Sequence, residues 1–416
     1  MKQIIKRIII RLLGWQVRRL QAKRDFSIVA VVGSVGKTST KRAIAQYIGN
    51  EHRVRYQLGN YNDILSVPLV FFGLNLPNLY NPFAWLGRFL RIEYQLHRDY
   101  PYDVVVLELG TDAPGQITAF SGYLHPDVAV VTAIAPEHME FFDDIKAVAE
   151  EELSIASFAQ QLIINVDDVA QEFRDDLPQY RSYGVSHDAT VRLSSTDKAL
   201  DLRHGRIKIA LHTGLIGIHM HKTLAAAYLV GDVLNLDMKD EESSLAAVTA
   251  MPGRMNKIKL ACGATAIDDS YNASPEAVIA ALDALYATDT PRKIAVIGNM
   301  NEMGAYSQAE HERVGQYCDN KQLEEIIVIG PDAKTFLAQA AQAGANRVVA
   351  FDSPYAIADY LKPKLNDDVI ILFKGSQNGV FLEEAIKPLL AQTQDASRLV
   401  RQSSAWLRIK SRQFSS

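Results

Sequence analysis

Cysteine is scarce in this sequence of 416 residues, in which Cys262 and Cys318 are the only two. Their spacing matches no metal-ligand pattern, and such sparse cysteine indicates a reducing compartment, so we predict a cytoplasmic protein. Long apolar runs are missing as well, because no stretch reaches the ~18 residues that a membrane-spanning helix needs. Low-complexity segments and internal repeats are also absent. Together with the chain length, these absences predict an ordinary globular protein of two or three domains.

Acidic side chains are absent from both ends of the chain. Residues 1–24 carry eight lysines and arginines and residues 396–416 carry five, so the overall net charge of −4 leaves −17 on the middle, 25–395. An acidic body argues against nucleic-acid binding over the whole surface. The two basic ends are instead candidates for contact with an anionic membrane.

Residues 1–24 have the pattern of a single amphipathic helix. Apolar residues recur at helical spacing among the basic ones, together with an interfacial tryptophan: Ile5, Ile8, Ile9, Leu12, Leu13, Trp15 and Leu20. The interspersed charges exclude a signal peptide. Two interpretations stay open, namely a helix lying in a membrane interface and a helix docked on its own domain with a solvated basic face. The first would place the protein peripherally on the inner face of the cell membrane.

A glycine-rich loop between a strand and a helix is the main functional signal. The apolar run 28–32 predicts a buried parallel strand, and a helical pattern follows the loop Gly33-Ser34-Val35-Gly36-Lys37-Thr38-Ser39. Its backbone N–H groups and the helix N-terminus would hold a phosphate. We predict an ATP site in which Lys37 reaches the β- and γ-phosphates and Thr38 ligates Mg²⁺. The spacing is the short form G-x-x-G-K-T, and an ordinary glycine turn is the competing interpretation.

Candidate metal ligands lie at the end of one further strand and in the loop after another. Residues 103–109 predict a buried strand, and Glu108 lies near its C-terminal end, which faces the ligand crevice in an open α/β sheet. This carboxylate suits Mg²⁺. Residues 127–133 predict the next strand, and His138 in the following loop is either a metal ligand or an ordinary loop histidine.

An α/β pattern restarts after a boundary near residues 251–254. Strands are predicted at 264–269, 293–298, 325–330, 347–351 and 368–373. The predicted fold class is therefore α/β, with a central P-loop ATPase domain built on a parallel sheet and a C-terminal Rossmann-like α/β domain. We divide the chain into a basic amphipathic helix, the central domain, the C-terminal domain and a basic tail, at 1–27, 28–250, 251–395 and 396–416. The cleft between the two domains is the default ligand site.

Eight motifs along the chain, taken in order, resemble those of the Mur ligase family. They are GSVGKTSTK at 33–41, GNYN at 59–62, LELG at 107–110, the His138 loop, PGR at 252–254, DDSYNASP at 268–275, GNMNEMG at 298–304 with His311, and KGS at 374–376. The resemblance covers about residues 28–390. It implies an ATP-dependent amide ligase, in which ATP phosphorylates a carboxylate and an amine attacks the resulting acyl phosphate.

The resemblance also implies roles for single residues. ATP would be bound by residues 33–39 with Arg254 and Asp269, the latter two only after domain closure. Lys37, Glu108 and His138 would be catalytic, and Thr38, Glu108 and His138 would hold Mg²⁺. Glu152 falls where the family has a carbamylated lysine, and we expect its carboxylate to replace that ligand. Substrate-binding positions are implied at Asn60, Asn62, Tyr271, Asn272, Glu302, Lys374 and Ser376.

The acceptor substrate is the least determined part of the prediction. Only 27 residues precede the first strand, where the family has a domain that binds the uridine nucleotide of the precursor. We expect D-alanyl-D-alanine or a similar amino acid or dipeptide to be joined to a peptidoglycan precursor carboxylate. Either a partner protein supplies the nucleotide-binding function, or the acceptor is lipid-linked. Two competing hypotheses are a ligase for a polymer other than peptidoglycan and a non-catalytic, ATP-binding scaffold at the membrane.

Overall fold

The structure is a computed structural model that describes residues 2–57, 59, 61–136, 139, 141–195, 200–377 and 379–414. The chain forms two compact units, one of Met1–Thr213 with Lys222–Val248 and one of Gly214–His221 with Thr249–Ser416. Each unit has its own sheet covered by helices. This architecture confirms the predicted fold class, whereas the fourfold division of the chain stays a prediction.

The first unit is built on a mostly parallel sheet. Its described strands are β1 (Ser27–Val32), β2 (Val54–Tyr56), β3 (Val104–Glu108), β4 (Val128–Val131), β5 (Gln161–Asn165), β6 (Arg181–Gly184), β7 (Val191–Ser195), β8 (Leu200–His204) and β9 (Ile207–Leu211). They lie in the order β2-β3-β1-β4-β5-β6-β7-β8-β9, and the antiparallel pairs are β7 with β8 and β8 with β9. β1 lies between β3 and β4, and the chain winds outward from it in both directions. The carboxyl ends of these three strands therefore form the ligand crevice expected of such a sheet.

Helices flank this sheet. The described ones are α1 (Lys2–Lys23), α2 (Lys37–Gly49), α3 (Val67–Phe72), α4 (Pro82–Leu96), α5 (Gln116–Phe120), α6 (Ile145–Leu153), α7 (Gln171–Arg174), α8 (Ile218–Val233) and α9 (Glu241–Ala246). α8 begins in the second unit and continues into the first. The central strands are apolar and fully buried, because helices cover both faces of a parallel sheet.

The N-terminal helix α1 is docked on the first unit. Its buried positions are spaced as one helical face, and they join the core that β1, α3 and α4 share: Ile9, Leu13, Val17 and Leu20. The docked interpretation of residues 1–24 is therefore realised. A second apolar stripe on the same helix stays exposed to solvent: Ile4, Ile8, Leu12 and Trp15. Among the described residues, no helix is both long enough and apolar enough to cross a bilayer.

The second unit contains a six-stranded sheet in its described residues. Its strands are β10 (Asn256–Lys259), β11 (Thr265–Asp269), β12 (Arg292–Gly298), β13 (Glu325–Ile329), β14 (Val348–Phe351) and β15 (Val369–Lys374). They lie in the order β10-β11-β15-β12-β13-β14, all parallel except the edge strand β10. The five predicted strands of this domain are confirmed. β10 was not predicted, because it has only four residues and one of its two buried positions is the polar Asn256, so the sequence shows no apolar alternation there.

Helices also accompany the second sheet. The described ones are α10 (Pro275–Tyr286), α11 (Ser307–Tyr317), α12 (Ala338–Ala343), α13 (Pro354–Leu361), α14 (Glu383–Ile386) and α15 (Ser404–Phe414). The segment predicted as a basic tail is partly buried in this unit. Arg401 binds Glu383, with its Nη2 atom 2.6 Å from the carboxylate, and the Lys410 ammonium lies 2.8 Å from Glu383 and 2.7 Å from Glu384. Two of the five basic residues at this end are therefore paired inside the protein and are not offered to an anionic membrane.

Candidate active site

The glycine-rich loop after β1 packs tightly against the residues that follow β4. Gly33 has a φ of 122°, and a side chain on it would bring its Cβ within 2.4 Å of the Thr132 hydroxyl oxygen, so only glycine fits. The Thr132 hydroxyl donates to the carbonyl of Val35 at 2.6 Å, and the Ser34 backbone N–H donates to Ala133 at 2.8 Å. These hydrogen bonds hold the loop against the residues that follow β4.

The N-terminus of α2 has the features of a phosphate site. Gly36, which has no side chain to cap the helix, is the N-cap of this 13-residue helix in a left-handed conformation, and the first turn contains Lys37, Thr38 and Ser39. The backbone N–H groups at the start of a helix and the helix dipole favour an anion. The Lys37 ammonium contacts the carbonyl oxygens of Gly33 and Ser34 within the same loop. These residues fit the predicted ATP site.

Glu108 and Thr38 meet at the carboxyl edge of the sheet. The Thr38 hydroxyl donates to Glu108 Oε1 at 3.2 Å, and the ammonium of Lys41 lies 2.9 Å from Glu108 Oε2. Burial alone would raise the pKa of Glu108, but the charges of Lys41 and Lys37 and the Thr38 hydrogen bond outweigh it and hold that pKa below its ordinary value. Glu108 is therefore ionised at neutral pH, as a metal ligand must be.

Glu152 reaches the phosphate loop from α6. Its Oε2 atom accepts a hydrogen bond from the backbone N–H of Gly33 at 2.8 Å, and its Oε1 atom lies 4.0 Å from the Lys37 ammonium. The side chain is almost fully buried. Glu152 thus contacts the loop at Gly33 and Glu108 contacts Thr38 at the start of α2, and oxygen donors of this kind suit Mg²⁺. The residues present fit the predicted metal, with the assignment of Glu152 as a ligand still a prediction.

Two of the predicted site residues, His138 and Asn60, lie outside the described part of the chain. In the part that the structure does describe, no group of three or more histidine, cysteine, aspartate and glutamate side chains could hold a metal ion. Asn62 packs against Gly110, just beyond β3, where a Cβ would lie 2.5 Å from the Asn62 amide nitrogen. Asn62 therefore lies next to the segment that follows Glu108.

The second unit places Asp269 and Lys374 at the carboxyl edge of its own sheet. They are register partners at the ends of β11 and β15, and the Lys374 ammonium lies 2.6 Å from Asp269 Oδ2. The ammonium also donates to the carbonyl of Asn272 at 2.9 Å. Burial lowers the pKa of Lys374 below its ordinary value, although Asp269 acts in the opposite direction. The pair anchors the DDSYN loop to the end of β15.

The other predicted residues of this unit surround that pair. The Arg254 guanidinium stacks 4.3 Å from the centroid of the Tyr271 ring, and the Ser376 hydroxyl accepts from the Asn301 N–H at 2.9 Å. Glu302 follows Asn301 with a φ of 66°, a conformation that non-glycine residues adopt rarely. The loops after β11, β12 and β15 therefore converge, whereas the substrate-binding roles implied for their residues stay predictions.

Asp268, in β11, links the segment that precedes β10 to the loop that follows β11. It accepts from the Gly253 N–H at 2.9 Å and from the Ser270 hydroxyl at 2.6 Å, and burial raises its pKa to about 6. His311 has a similar supporting position, because its Nε2 atom accepts from the Met300 N–H at 3.1 Å while Nδ1 lies 2.7 Å from the Ser307 carbonyl. Nε2 as acceptor and Nδ1 as donor identify a neutral histidine, in agreement with the lowering of its pKa by burial.

Lys41 and Glu151 were not singled out from the sequence. Lys41 lies one helical turn after Lys37 on α2, so the i, i+4 spacing could have predicted that both lysines face the same crevice. Glu151 caps the N-terminus of α5 by accepting from the Ile117 N–H at 2.7 Å and from the Gly115 N–H at 2.6 Å. No sequence signal marks that role, because its partners lie 34 and 36 residues away.

Replacing Lys41 with methionine tests the buried ion pair. The change leaves the Glu108 carboxylate buried without its closest cation, and we expect the free energy of unfolding to fall by roughly 3–5 kcal/mol. Calorimetric unfolding of the full chain measures this. The double variant Lys41→Met/Glu108→Gln should recover most of the loss, since it removes both charges. A loss in Lys41→Met no larger than in Lys146→Met, an exposed control in the same unit, would contradict the pairing.

Comparison with known proteins decides the family. The model of the Mur ligase middle domain matches residues 90–231, which include Glu108 and Glu152, and the model of the Mur ligase glutamate ligase domain matches 253–377, which include Asp269 and Lys374. The chain belongs to the Mur ligase family. Members of this family are ATP-dependent amide-bond-forming ligases, and the predictions of that reaction class and of ATP are confirmed.

Relatives of this Mur ligase align over most of its length. The UDP-N-acetylmuramoyl-tripeptide–D-alanyl-D-alanine ligase of Bacillus subtilis (strain 168) is 26% identical over 371 residues, which cover 87% of this chain and 76% of the relative. The ligase of the same description from Escherichia coli (strain K12) is 25% identical over 394 residues, 91% of this chain and 79% of the relative.

Solved structures share the fold of this Mur ligase. MurF from Acinetobacter baumannii superposes with a TM-score of 0.75 at 22% identity, over 92% of this chain and 81% of that one. The MurF ligase from Thermotoga maritima, solved in complex with ADP, gives a TM-score of 0.73 at 23% identity, over 91% of this chain and 82% of that one.

Proposed function

We propose that this Mur ligase joins D-alanyl-D-alanine, or a similar amine, to the peptide of a peptidoglycan precursor. The observation that carries this proposal is the long alignment with ligases described by that reaction, which extends over about nine-tenths of the chain. The phosphate loop and its two buried carboxylates supply the machinery for the first half-reaction. ATP would transfer its terminal phosphoryl group to the acceptor carboxylate, and the amine would then displace phosphate to form the amide.

The residues of the first unit have direct roles in this scheme. Lys37 and the N–H groups at the start of α2 would neutralise charge that develops on the transferred phosphoryl group. Thr38, Glu108 and Glu152 would hold Mg²⁺, with His138 as a further ligand by family resemblance. The metal would supply Lewis-acid stabilisation of the phosphoryl oxygens. Lys41 would keep Glu108 ionised and oriented.

The residues of the second unit have proposed roles that rest on the resemblance. Arg254 and Asp269 are proposed to contribute to nucleotide binding. Tyr271, Asn272, Glu302, Lys374 and Ser376 are proposed to bind the substrates, together with Asn60 and Asn62 of the first unit. Burial and the short contact with Asp269 make Lys374 a rigid anchor of its loop.

The partner and acceptor hypotheses belong to the same proposal. We keep a UDP-linked and a lipid-linked precursor as candidate acceptors, and a partner protein that supplies nucleotide binding as a further candidate. A contact of residues 1–24 with the inner face of the cell membrane is compatible with either acceptor. A cytoplasmic enzyme acting next to that membrane would meet both kinds of precursor.

Substrate-dependent ADP formation tests the proposed function. Purified full-length protein is incubated with MgATP, with D-alanyl-D-alanine or a panel of other amines, and with either a UDP-linked or a lipid-linked muramyl tripeptide. We expect ADP only when amine and acceptor are both present, and a product whose mass equals their sum minus water. Turnover with the lipid-linked tripeptide and the amine, but not with the UDP-linked tripeptide and the amine, would identify the lipid-linked precursor as the acceptor. ADP formation that does not depend on the amine, or no ADP with any combination of amine and acceptor, would contradict a ligase of cell-wall precursors. Either result would favour a ligase for a different polymer or a non-catalytic, ATP-binding scaffold.

A further inference from the structure

Helices α1 and α4 of the first unit each expose a stripe of large apolar side chains. On α1 the stripe recurs every three to four residues, at Ile4, Ile8, Leu12 and Trp15, and on α4 it does the same at Phe83, Leu86, Leu90 and Tyr94. Phe83 is 83% exposed and Leu90 is 63% exposed. The opposite side of each helix is buried, by Leu13 and Val17 on α1 and by Trp85 and Ile92 on α4. These exposed side chains are therefore not part of the hydrophobic core.

The two stripes lie side by side. Gln16 and Arg19 of α1 both contact Glu93 of α4, and Arg24 contacts Arg98 and Asp99 just beyond it. Sequence separations between these partners stay between 74 and 77 residues, so the helices run in the same direction with a constant register. Extended toward the N-termini of both helices, that register sets Phe83, Leu86 and Leu90 level with Ile8, Leu12 and Trp15.

The position of the interhelical contacts joins the stripes into one surface. Around each helix, at about 100° per residue, Gln16, Arg19 and Glu93 lie between the buried side and the exposed stripe. Both stripes therefore flank the seam between α1 and α4 on its solvent side. We name these eight apolar side chains of α1 and α4 the α1–α4 face.

Basic residues dominate the charge around the α1–α4 face. The two helices carry nine lysines and arginines and a single acid, Glu93, which is paired with Arg19. Lys6, Arg7, Arg11 and Arg91 are exposed. Trp15 and Tyr94 each stack under a guanidinium, at 4.4 Å and 4.5 Å from the ring centroids, which is an arrangement of aromatic and cation that suits a lipid headgroup region.

We propose that the α1–α4 face docks this protein on an anionic bilayer surface. The apolar stripes would enter the boundary between headgroups and acyl chains, and the surrounding basic residues would bind acidic headgroups. The face acts as part of the folded unit, because α1 is fixed by its own core contacts. Charge complementarity favours a membrane over a second copy of the chain, since two copies meeting through this face would bring the exposed basic residues of one, such as Arg7 and Arg11, against those of the other. The inference goes beyond the ligase reaction and is independent of it.

Vesicle flotation of the full-length protein tests the proposal without any enzymatic readout. The vesicles are phosphatidylcholine with or without phosphatidylglycerol. We expect the protein to float with the anionic vesicles, and the double variant Phe83→Ser/Leu90→Ser to bind roughly tenfold more weakly or worse. Arg7→Gln/Arg11→Gln should show a similar loss and a smaller dependence on salt. These side chains are exposed, so the variants should unfold at the temperature of the parent.

A matched control uses apolar residues of moderate exposure elsewhere on the protein. Ile207 and Ile409 are 49% and 47% exposed, and Ile207→Ser/Ile409→Ser should float like the parent. Failure of the parent to float, equal binding to vesicles without phosphatidylglycerol, or an equal loss in the control would each overturn the proposal. Sedimentation velocity provides a further check. If the parent is a dimer that does not bind vesicles, and Phe83→Ser/Leu90→Ser is a monomer, the face is a homodimer interface instead.

Discussion

Replacing Lys37 with alanine is expected to reduce substrate-dependent ADP formation by roughly 10³-fold or more. The Lys37 ammonium contacts the carbonyls of Gly33 and Ser34 in the glycine-rich loop. A bound phosphate would take over those contacts. Without the lysine, charge that develops on the transferred phosphoryl group would meet only backbone N–H groups and the metal.

The Lys37→Ala protein should keep its fold, because Lys37 lies at the start of α2 and outside the hydrophobic core, although the substitution removes its contacts with the loop carbonyls of Gly33 and Ser34 and its 4.0 Å approach to Glu152. Circular dichroism and calorimetric unfolding serve as the check. Lys146→Ala, which removes an exposed lysine from α6 of the same unit, is the activity control and should turn over like the parent. A well-folded Lys37→Ala protein with near-parental ADP formation would remove the phosphate-loop assignment.

Replacing Glu152 with glutamine should raise the Mg²⁺ concentration needed for half-maximal turnover by about tenfold or more. The glutamine oxygen can still accept the hydrogen bond from the Gly33 N–H, so the loop should keep its shape while the site loses one negative charge. Titration of ADP formation against Mg²⁺ measures the effect. At saturating Mg²⁺ part of the activity should return, as expected when a metal ligand is weakened rather than a reacting group removed.

Glu150→Gln is the matched control for that experiment, because Glu150 is exposed two residues earlier in the same helix. Its Mg²⁺ dependence should equal that of the parent. Bicarbonate supplies a second test, since a glutamate needs no CO₂ to become anionic and the parent should turn over equally with and without it. Bicarbonate-dependent activity in the parent, or an unchanged Mg²⁺ requirement in Glu152→Gln, would show that Glu152 does not replace the carbamylated lysine.

Most of the strand framework could be predicted because buried parallel strands are short, continuous apolar runs. The runs at 28–32 and 103–109 correspond to β1 and β3, and the motif residues at their ends meet in the structure through Thr38 and Glu108. Order along the chain and the rules of open α/β sheets were enough for that step. Glu152 was placed by family position alone, and the structure puts its carboxylate on the same loop.

The pairing of charges could not be predicted from the sequence. Lys410 lies 26 residues from Glu384, and nothing local distinguishes it from Arg408, which stays exposed. Counting charge along the chain therefore overstated the basic character of residues 396–416. For the same reason, Lys41 was not assigned to Glu108, which is 67 residues away along the sequence.

The N-terminal helix shows a further limit of periodicity. Its apolar residues were read as one face, but the structure divides them between the core, with Leu13 and Leu20, and the solvent, with Ile8 and Leu12. A wide apolar arc is compatible with either arrangement, and the elements that α1 packs against, among them β1, α3 and α4, decide which half is covered. The competing interpretations of residues 1–24 were therefore not exclusive, because a docked helix still presents an apolar stripe.

The double use of α1 has a consequence for mutational scanning. Polar substitutions at Leu13 or Val17 should eliminate the folded protein, and any selection, in a test tube or in a cell, would discard them. Polar substitutions at the exposed Ile8 or Leu12 should pass a selection for catalysis with water-dispersed substrates. A selection for growth would additionally reject them wherever attachment matters to the cell. Comparing the two selections residue by residue would then separate, along a single helix, the residues that folding requires from those that attachment to the membrane requires.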